Sequence, residues 1–125
     1  MILPGNEAKT LPKIVYEEMK GTVLIQGRSI ATTAEEYFDE FVPYFKHCVE
    51  KKPMDLTMDI DLEYFNTKSS RIFVEIFEIA KTVEEHNHKV TVNWYYEEGD
   101  ENMLDSGADY EYVSKLKFNY IKKPE

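Results

Sequence analysis

Residues 54–77 read MDLTMDIDLEYFNTKSSRIFVEIF, and two periodicities meet inside them. From Met54 to Tyr64 the chain alternates: Met54, Leu56, Met58, Ile60, Leu62 and Tyr64 fall on one side, Asp55, Thr57, Asp59, Asp61 and Glu63 on the other. Successive side chains of a strand leave opposite faces, so this spacing predicts a half-buried strand. Farther on, Ile72, Phe73, Ile76, Phe77, Ala80 and Val83 recur at helical spacing, with Glu75, Glu78, Lys81 and Glu84 largely off the stripe. The join, Asn66-Thr67-Lys68-Ser69-Ser70, reads as a polar helix start. A strand running into a helix that returns to another strand is a crossover unit, and it places the chain in the α/β class.

The flanking segments extend this unit. KVTVNWYYE (89–97) alternates Val90, Val92, Trp94 and Tyr96 against Thr91, Asn93 and Tyr95, and KLKFNYIK (115–122) does so with Leu116, Phe118 and Tyr120. Upstream, TTAEEYFDEFVPYFKHCVEKK (32–52) predicts a helix with Phe38, Phe41, Val42, Phe45 and Val49 inward, a capping box of Thr33 with Glu36, and a kink at Pro43. KIVYEE (13–18) and TVLIQG (22–27) suit a hairpin turning at Met19-Lys20-Gly21, and DENMLDSGADYEYVSK (100–115) suits a weaker helix interrupted by Gly107. The expected order is β-β-α-β-α-β-α-β in a single domain over residues 1–125, preceded within it by an N-terminal arm, 1–12. Strands with one polar face imply a mixed sheet covered by helices mainly on one face, because a doubly covered sheet needs nearly continuous apolar strands.

A formal charge of -9, from 15 basic and 24 acidic side chains, argues against nucleic acid and against anionic membranes as partners. A basic protein surface is the better complement. The one cysteine, Cys48, has no internal disulfide partner, and no apolar run approaches membrane-spanning length or resembles a secretory signal. These features predict a cytoplasmic protein without membrane insertion.

Three clusters are candidates for chemistry. Asp59 and Asp61, with Glu63 beyond them, share one face of a strand and could serve as acid and base if their environments drove their pKa values apart. The alternative is a charged, solvated sheet face. His86 and His88 follow Glu84 and Glu85, but their place with Asn87 in a helix-to-strand connection reads as a helix terminus, and His47 stands apart. No metal or cofactor is expected. The third cluster, NTKSS, opens a helix behind a strand, where free backbone N–H groups and the positive end of the helix dipole favour an anion, with Lys68 and Arg71 close by. Phosphorylation of Thr67 adds about -1.5 to -2 charges there. Thr67, Ser69 or Ser70 could equally act as the helix cap.

Five stretches, IQGRS (25–29), the Pro43 helix, DLEYFNT (61–67), VNWYYEEGDENMLDSG (92–107) and YVSKLKF (112–118), resemble the SiaC family of bacterial regulatory phosphoproteins. The fold of that family is similar to the STAS domains of anti-sigma-factor antagonists. The resemblance implies that Thr67 occupies the phosphorylated position, ahead of Ser69 and Ser70, and that Asn66, Thr67, Lys68, Ser69, Ser70 and Arg71 meet partners. It further implies a protein kinase, a metal-dependent serine/threonine phosphatase, and a diguanylate cyclase that the unphosphorylated form binds and stimulates. The chain would then be a substrate of enzymes in a partner-switching pathway and not an enzyme. Two other readings stand beside it: an anti-sigma-factor antagonist that binds an anti-sigma kinase, and a small acid-base enzyme using Asp59 and Asp61.

Overall fold

A computed structural model describes residues 1–124 of the chain. Six strands form one sheet in the order of the sequence, β1 (Ile2–Leu3), β2 (Lys13–Glu17), β3 (Thr22–Ser29), β4 (Leu56–Phe65), β5 (Val90–Tyr96) and β6 (Lys117–Lys122). The first three pair antiparallel; β3, β4, β5 and β6 are mutually parallel. Helices α1 (Ala34–Phe38) and α2 (Val42–Lys51) cross from β3 to β4, α3 (Thr67–Glu84) from β4 to β5, and α4 (Glu101–Ser114) from β5 to β6. Each crossover steps one strand in the same direction. Crossovers of the usual right hand that never reverse direction keep every helix on one face, which is why the other face can be polar.

The core lies between that sheet and its helices. Ile14, Tyr16, Val23, Ile25, Leu56, Met58, Ile60, Leu62, Val90, Val92, Trp94, Leu116 and Phe118 point inward from the strands and their ends, and meet Phe38, Phe41, Phe45, Phe73, Ile76 and Phe77 from the helices. Much of the contact is aromatic, as in the edge-to-face packing of Phe38 on Phe73 with centroids 5.7 Å apart.

Several expectations are corrected. The arm at 1–12 is partly a strand: Ile2 pairs with Val15, and the terminal amine donates to the Tyr16 carbonyl at 2.8 Å. The single kinked helix expected at 32–52 is two helices, and Pro43 sits in the first turn of α2, where its missing N–H would have no helical partner anyway. Thr33 stands at the start of α1 without a side-chain cap bond, because its φ of -93° and ψ of 14° leave the extended conformation that aims a capping hydroxyl. Helix α4 runs unbroken through Gly107. A Cβ there would lie 2.7 Å from two atoms of the Trp94 ring, so this glycine permits a close approach and does not end a helix.

The decisive departure is in β4. Its alternation holds through Leu62 and then slips: Gly27 faces Leu62, while the next residue, Arg28, faces Tyr64. Glu63 is the extra residue of a β-bulge. Tyr64, expected inward, is therefore 62% exposed, and Phe65 takes the inward place, edge-on to Phe73 at 5.4 Å.

Candidate functional site

The bulge delivers the chain to the start of α3, and the first turn is held from two sides. Asn66, extended at φ -88° and ψ 175°, accepts the Ser69 N–H on its side-chain oxygen at 2.9 Å, and its carbonyl accepts the Ser70 N–H. The expectation that Thr67, Ser69 or Ser70 caps the helix is thus corrected: Asn66 is the cap. Ser69 is fully buried. Its hydroxyl donates to the Ser29 carbonyl at 2.9 Å and lies 2.6 Å from the Ser29 hydroxyl. A hydroxyl has one proton, so Ser29 is the donor in the second bond. The Asn66 N–H also donates to the Ser29 carbonyl, at 3.0 Å. The end of β3 therefore anchors the helix start.

With the cap supplied elsewhere, Thr67 is the first helical residue, exposed, and its hydroxyl takes part in none of the hydrogen bonds of the described residues. Its N–H and that of Lys68 are the first-turn donors left after Asn66 has received those of Ser69 and Ser70. Lys68 and Arg71 are exposed and form no ion pair among the described residues. Both border a groove of about 310 Å³ between α3 and the α1–α2 pair, whose lining also includes Glu35, Asp39 and Glu75. Arg71 follows Thr67 by four residues and shares its face of the helix.

Five of the six expected contact residues are thus gathered at this helix start with some exposure, and the sixth is beneath it. Ser69 is a structural hydroxyl, closed to a modifying enzyme and to a partner in this conformation. Ser70 is half-buried: its hydroxyl donates to the Thr67 carbonyl at 2.6 Å, and its own carbonyl accepts from Tyr110 at 3.0 Å. Burial pushes the Tyr110 hydroxyl pKa well above its ordinary value, keeping it a donor.

Asp59 and Asp61 lie on the open sheet face. Asp59 accepts from Asn93 at 2.9 Å, Asp61 accepts from Gln26 at 3.0 Å and lies 2.6 Å from the Lys123 ammonium, and Glu63 pairs with Arg28 at 2.9 Å. Asp59, Asp61 and Glu63 thus tie neighbouring strands together through Asn93, Gln26 and Arg28. His88 turns to Asp55, 3.4 Å away, and Asn87 takes the left-handed conformation at φ 66° in the turn after α3. Among the described residues no three His, Cys, Asp or Glu side chains are placed to hold a metal ion. No helix among them is long and apolar enough to cross a membrane.

The SiaC family model, that of the SiaC family regulatory phosphoproteins, matches residues 6–123. The chain belongs to the SiaC family. A curated relative from Pseudomonas aeruginosa strain UCBPP-PA14, an uncharacterized protein, is 20% identical over 108 residues, spanning 86% of this chain and 84% of its own. Among solved structures, apo-SiaC from Pseudomonas aeruginosa is similar at a TM-score of 0.85 and 19% identity, covering 97% of both chains. A chain in the crystal structure of the diguanylate cyclase SiaD in complex with its activator SiaC, from the same organism, matches at a TM-score of 0.89 and 19% identity, covering 98% of this chain and 99% of that one. At such identities the likeness is one of fold, and it extends over the whole SiaC-type domain.

Sequence reasoning overlooked Ser29, which anchors this helix start, and the outward turn of Tyr64 just before it. Ser29 sits 40 residues from its partner Ser69, with no local pattern to connect them. The only local trace of the bulge that exposes Tyr64 is Gly27 on the facing strand, whose φ is 118°.

Proposed function

We propose that this member of the SiaC family is a phosphorylation-controlled regulator that binds and stimulates a diguanylate cyclase when unmodified, and that Thr67 is its switch. The single observation that carries the assignment to Thr67 is the division of labour at the helix start: Asn66 caps, Ser69 anchors, and the Thr67 hydroxyl stands exposed with no structural task. A protein kinase would supply the phosphate and a metal-dependent serine/threonine phosphatase would remove it. The similar SiaC chain solved with SiaD is described as that cyclase's activator, which supports the choice of effector class.

The physics favours a switch of surface over a switch of fold. A phosphate on Thr67 adds about -1.5 to -2 charges and three strong acceptor oxygens, at a helix N-terminus, where negative charge is stabilising. The domain therefore stays folded. Acidic groups of an effector that meet Lys68 and Arg71 are then repelled, and a partner with basic groups is favoured. Lys68, Arg71 and Asn66 contribute to this contact surface along with Thr67 and Ser70.

Two measurements test this. Intact-mass and fragment mapping of the protein from its own cells, made with phosphatase inhibitors and repeated after phosphatase treatment, should place a removable phosphate on Thr67. Thr67→Asp should keep the fold and weaken capture of the cyclase. Phosphate confined to Ser70, or full capture by the aspartate variant, would sink the assignment.

A further inference from the structure

At the end of the sheet opposite Thr67, the turn after β2, the last turn of α2 and the residues before β4 surround a cavity of about 420 Å³. Its wall is mostly apolar and includes Met19, Val49 and Met54. Pockets of this size, apolar with a few placed polar groups, are of the kind that hold small organic molecules. The placed group here is Tyr16. That residue is 2% exposed, and its ring is fixed edge-to-face against Phe41, Tyr44 and Phe45, with centroids 5.9, 6.0 and 5.2 Å away. Its hydroxyl takes part in none of the hydrogen bonds to nitrogen or oxygen among the described residues, although buried tyrosines usually find such a partner. Tyr37 and Tyr110 show the usual arrangement, donating to the Pro12 and Ser70 carbonyls at 2.6 and 3.0 Å. Beside the Tyr16 hydroxyl is the Cys48 thiol, also in the cavity wall and only a weak bonding group. Burial, and after it Cys48, hold the Tyr16 hydroxyl pKa well above its ordinary value, so the group remains an O–H donor.

We propose that this cavity binds a small neutral molecule, largely apolar and carrying one carbonyl oxygen, which accepts a hydrogen bond from Tyr16. The unpaired donor calls for an acceptor, and the apolar wall excludes a charged body, whose desolvation nothing there offsets. The mouth selects no ionic head either. Lys51 and Lys52 stand at the C-terminal end of α2, where the helix carbonyls already favour cations, and Glu18 lies 3.8 Å from the terminal ammonium. A ketone meets each condition. No residue of the helix start around Thr67 lines this cavity, so the site stands apart from the phosphorylation reading.

The test is nuclear magnetic resonance of the full chain with isotope-labelled methionine methyls, titrated with cyclohexanone, acetophenone and methyl pentyl ketone. Each ketone is paired with the hydrocarbon in which a methylidene group replaces the carbonyl oxygen. The Met19 and Met54 methyl signals should shift and saturate, while that of Met103, on α4 and outside the cavity wall, should stay in place. In Tyr16→Phe the ratio of ketone to hydrocarbon affinity should fall about 2–10-fold, the worth of one hydrogen bond; taking the ratio cancels the different cost of removing each probe from water. Because the hydroxyl holds no nitrogen or oxygen of the fold, Tyr16→Phe should keep the wild-type thermal midpoint. No saturable shift with any of the ketones overturns the site, as does an equal shift at Met103, which marks adsorption to apolar surface in general. An unchanged ratio in Tyr16→Phe overturns the carbonyl class. A clearly lowered midpoint in that variant would show that the hydroxyl already has a partner within the fold, and overturns the proposal too.

Discussion

Asn66, Thr67 and Ser69, all at the start of α3, have three separate physical situations, and mutation should separate them. Asn66 supplies the cap, so Asn66→Ala should cost about 1 kcal/mol of stability, while Thr67→Ala, at an exposed side chain without a partner, should stay within about 0.5 kcal/mol of wild type. Urea midpoints measured side by side decide this; an equal loss in the two variants would return Thr67 to a capping role. Ser69→Ala belongs to another class, because it leaves the Ser29 hydroxyl buried without its acceptor, a loss of about 1–3 kcal/mol. The Ser29 carbonyl keeps the Asn66 N–H, so only the hydroxyl is orphaned. Removing that hydroxyl too, in Ser29→Ala/Ser69→Ala, should therefore cost less than the two single changes added together. The clustering of Asn, Thr and Ser was legible in the sequence as a polar helix start. Which of them caps depends on Asn66 being extended and on Ser29 arriving from 40 residues away, and neither condition leaves a mark on residues 66–70.

Among the elements, α4 and β4 mark the limit of what periodicity conveys. Helix α4 was legible as a helix, but its glycine was read by propensity as an interruption. The structure uses it as a gap into which Trp94 fits, with the indole N–H donating to the Met103 carbonyl at 2.8 Å. An alanine at 107 is a better helix former by about 1 kcal/mol, yet its Cβ would stand 2.7 Å from the Trp94 ring and 2.9 Å from the Tyr120 ring. Trp94 is fully buried and its N–H is fixed, so overpacking should outweigh propensity and Gly107→Ala should lose about 1–3 kcal/mol. Thermal unfolding followed by near-ultraviolet circular dichroism of the tryptophan will show it; a raised midpoint would mean that the ring moves aside easily. In β4 the alternation located every inward residue up to Leu62 and failed at Tyr64, because a bulge is a property of two paired strands and the alternation was read along one. The same blindness divided α1 from α2: Pro43 signalled a disturbance, but a kink and a fresh helix start share the same residue, and packing selects between them.

The whole molecule was legible where its design is repetitive. Parallel strands of one-sided alternation, joined by helices and taken in chain order, lead to a sheet with one covered face, and Asp59, Asp61, Asn93 and Asn119 lie on the other. The two-residue strand β1 was not legible, since two residues carry no period. The sheet also has two ends with different tasks. Thr67 lies beyond the C-terminal end of β4, while Asp55 ties the opposite end together, accepting the Lys89 N–H at 2.9 Å and lying 3.4 Å from His88. The Lys89 hydrogen bond, with His88 assisting, holds the Asp55 carboxyl below the usual carboxylate range. Because the folded value is the lower one, the stabilisation is complete above the unfolded value of about 3.9 and is lost as pH falls through the folded one. The thermal midpoint should therefore decline as pH drops below about 4, and Asp55→Asn should decline less steeply over that window while starting lower. The loosening should be local: amide exchange at Leu56, whose N–H donates to the Lys89 carbonyl, should quicken in the asparagine variant, and exchange at Ser69 should not. Equal acid slopes in the two proteins would show that Asp55 does not govern that end of the sheet, and faster exchange at Ser69 would show that the two ends open together.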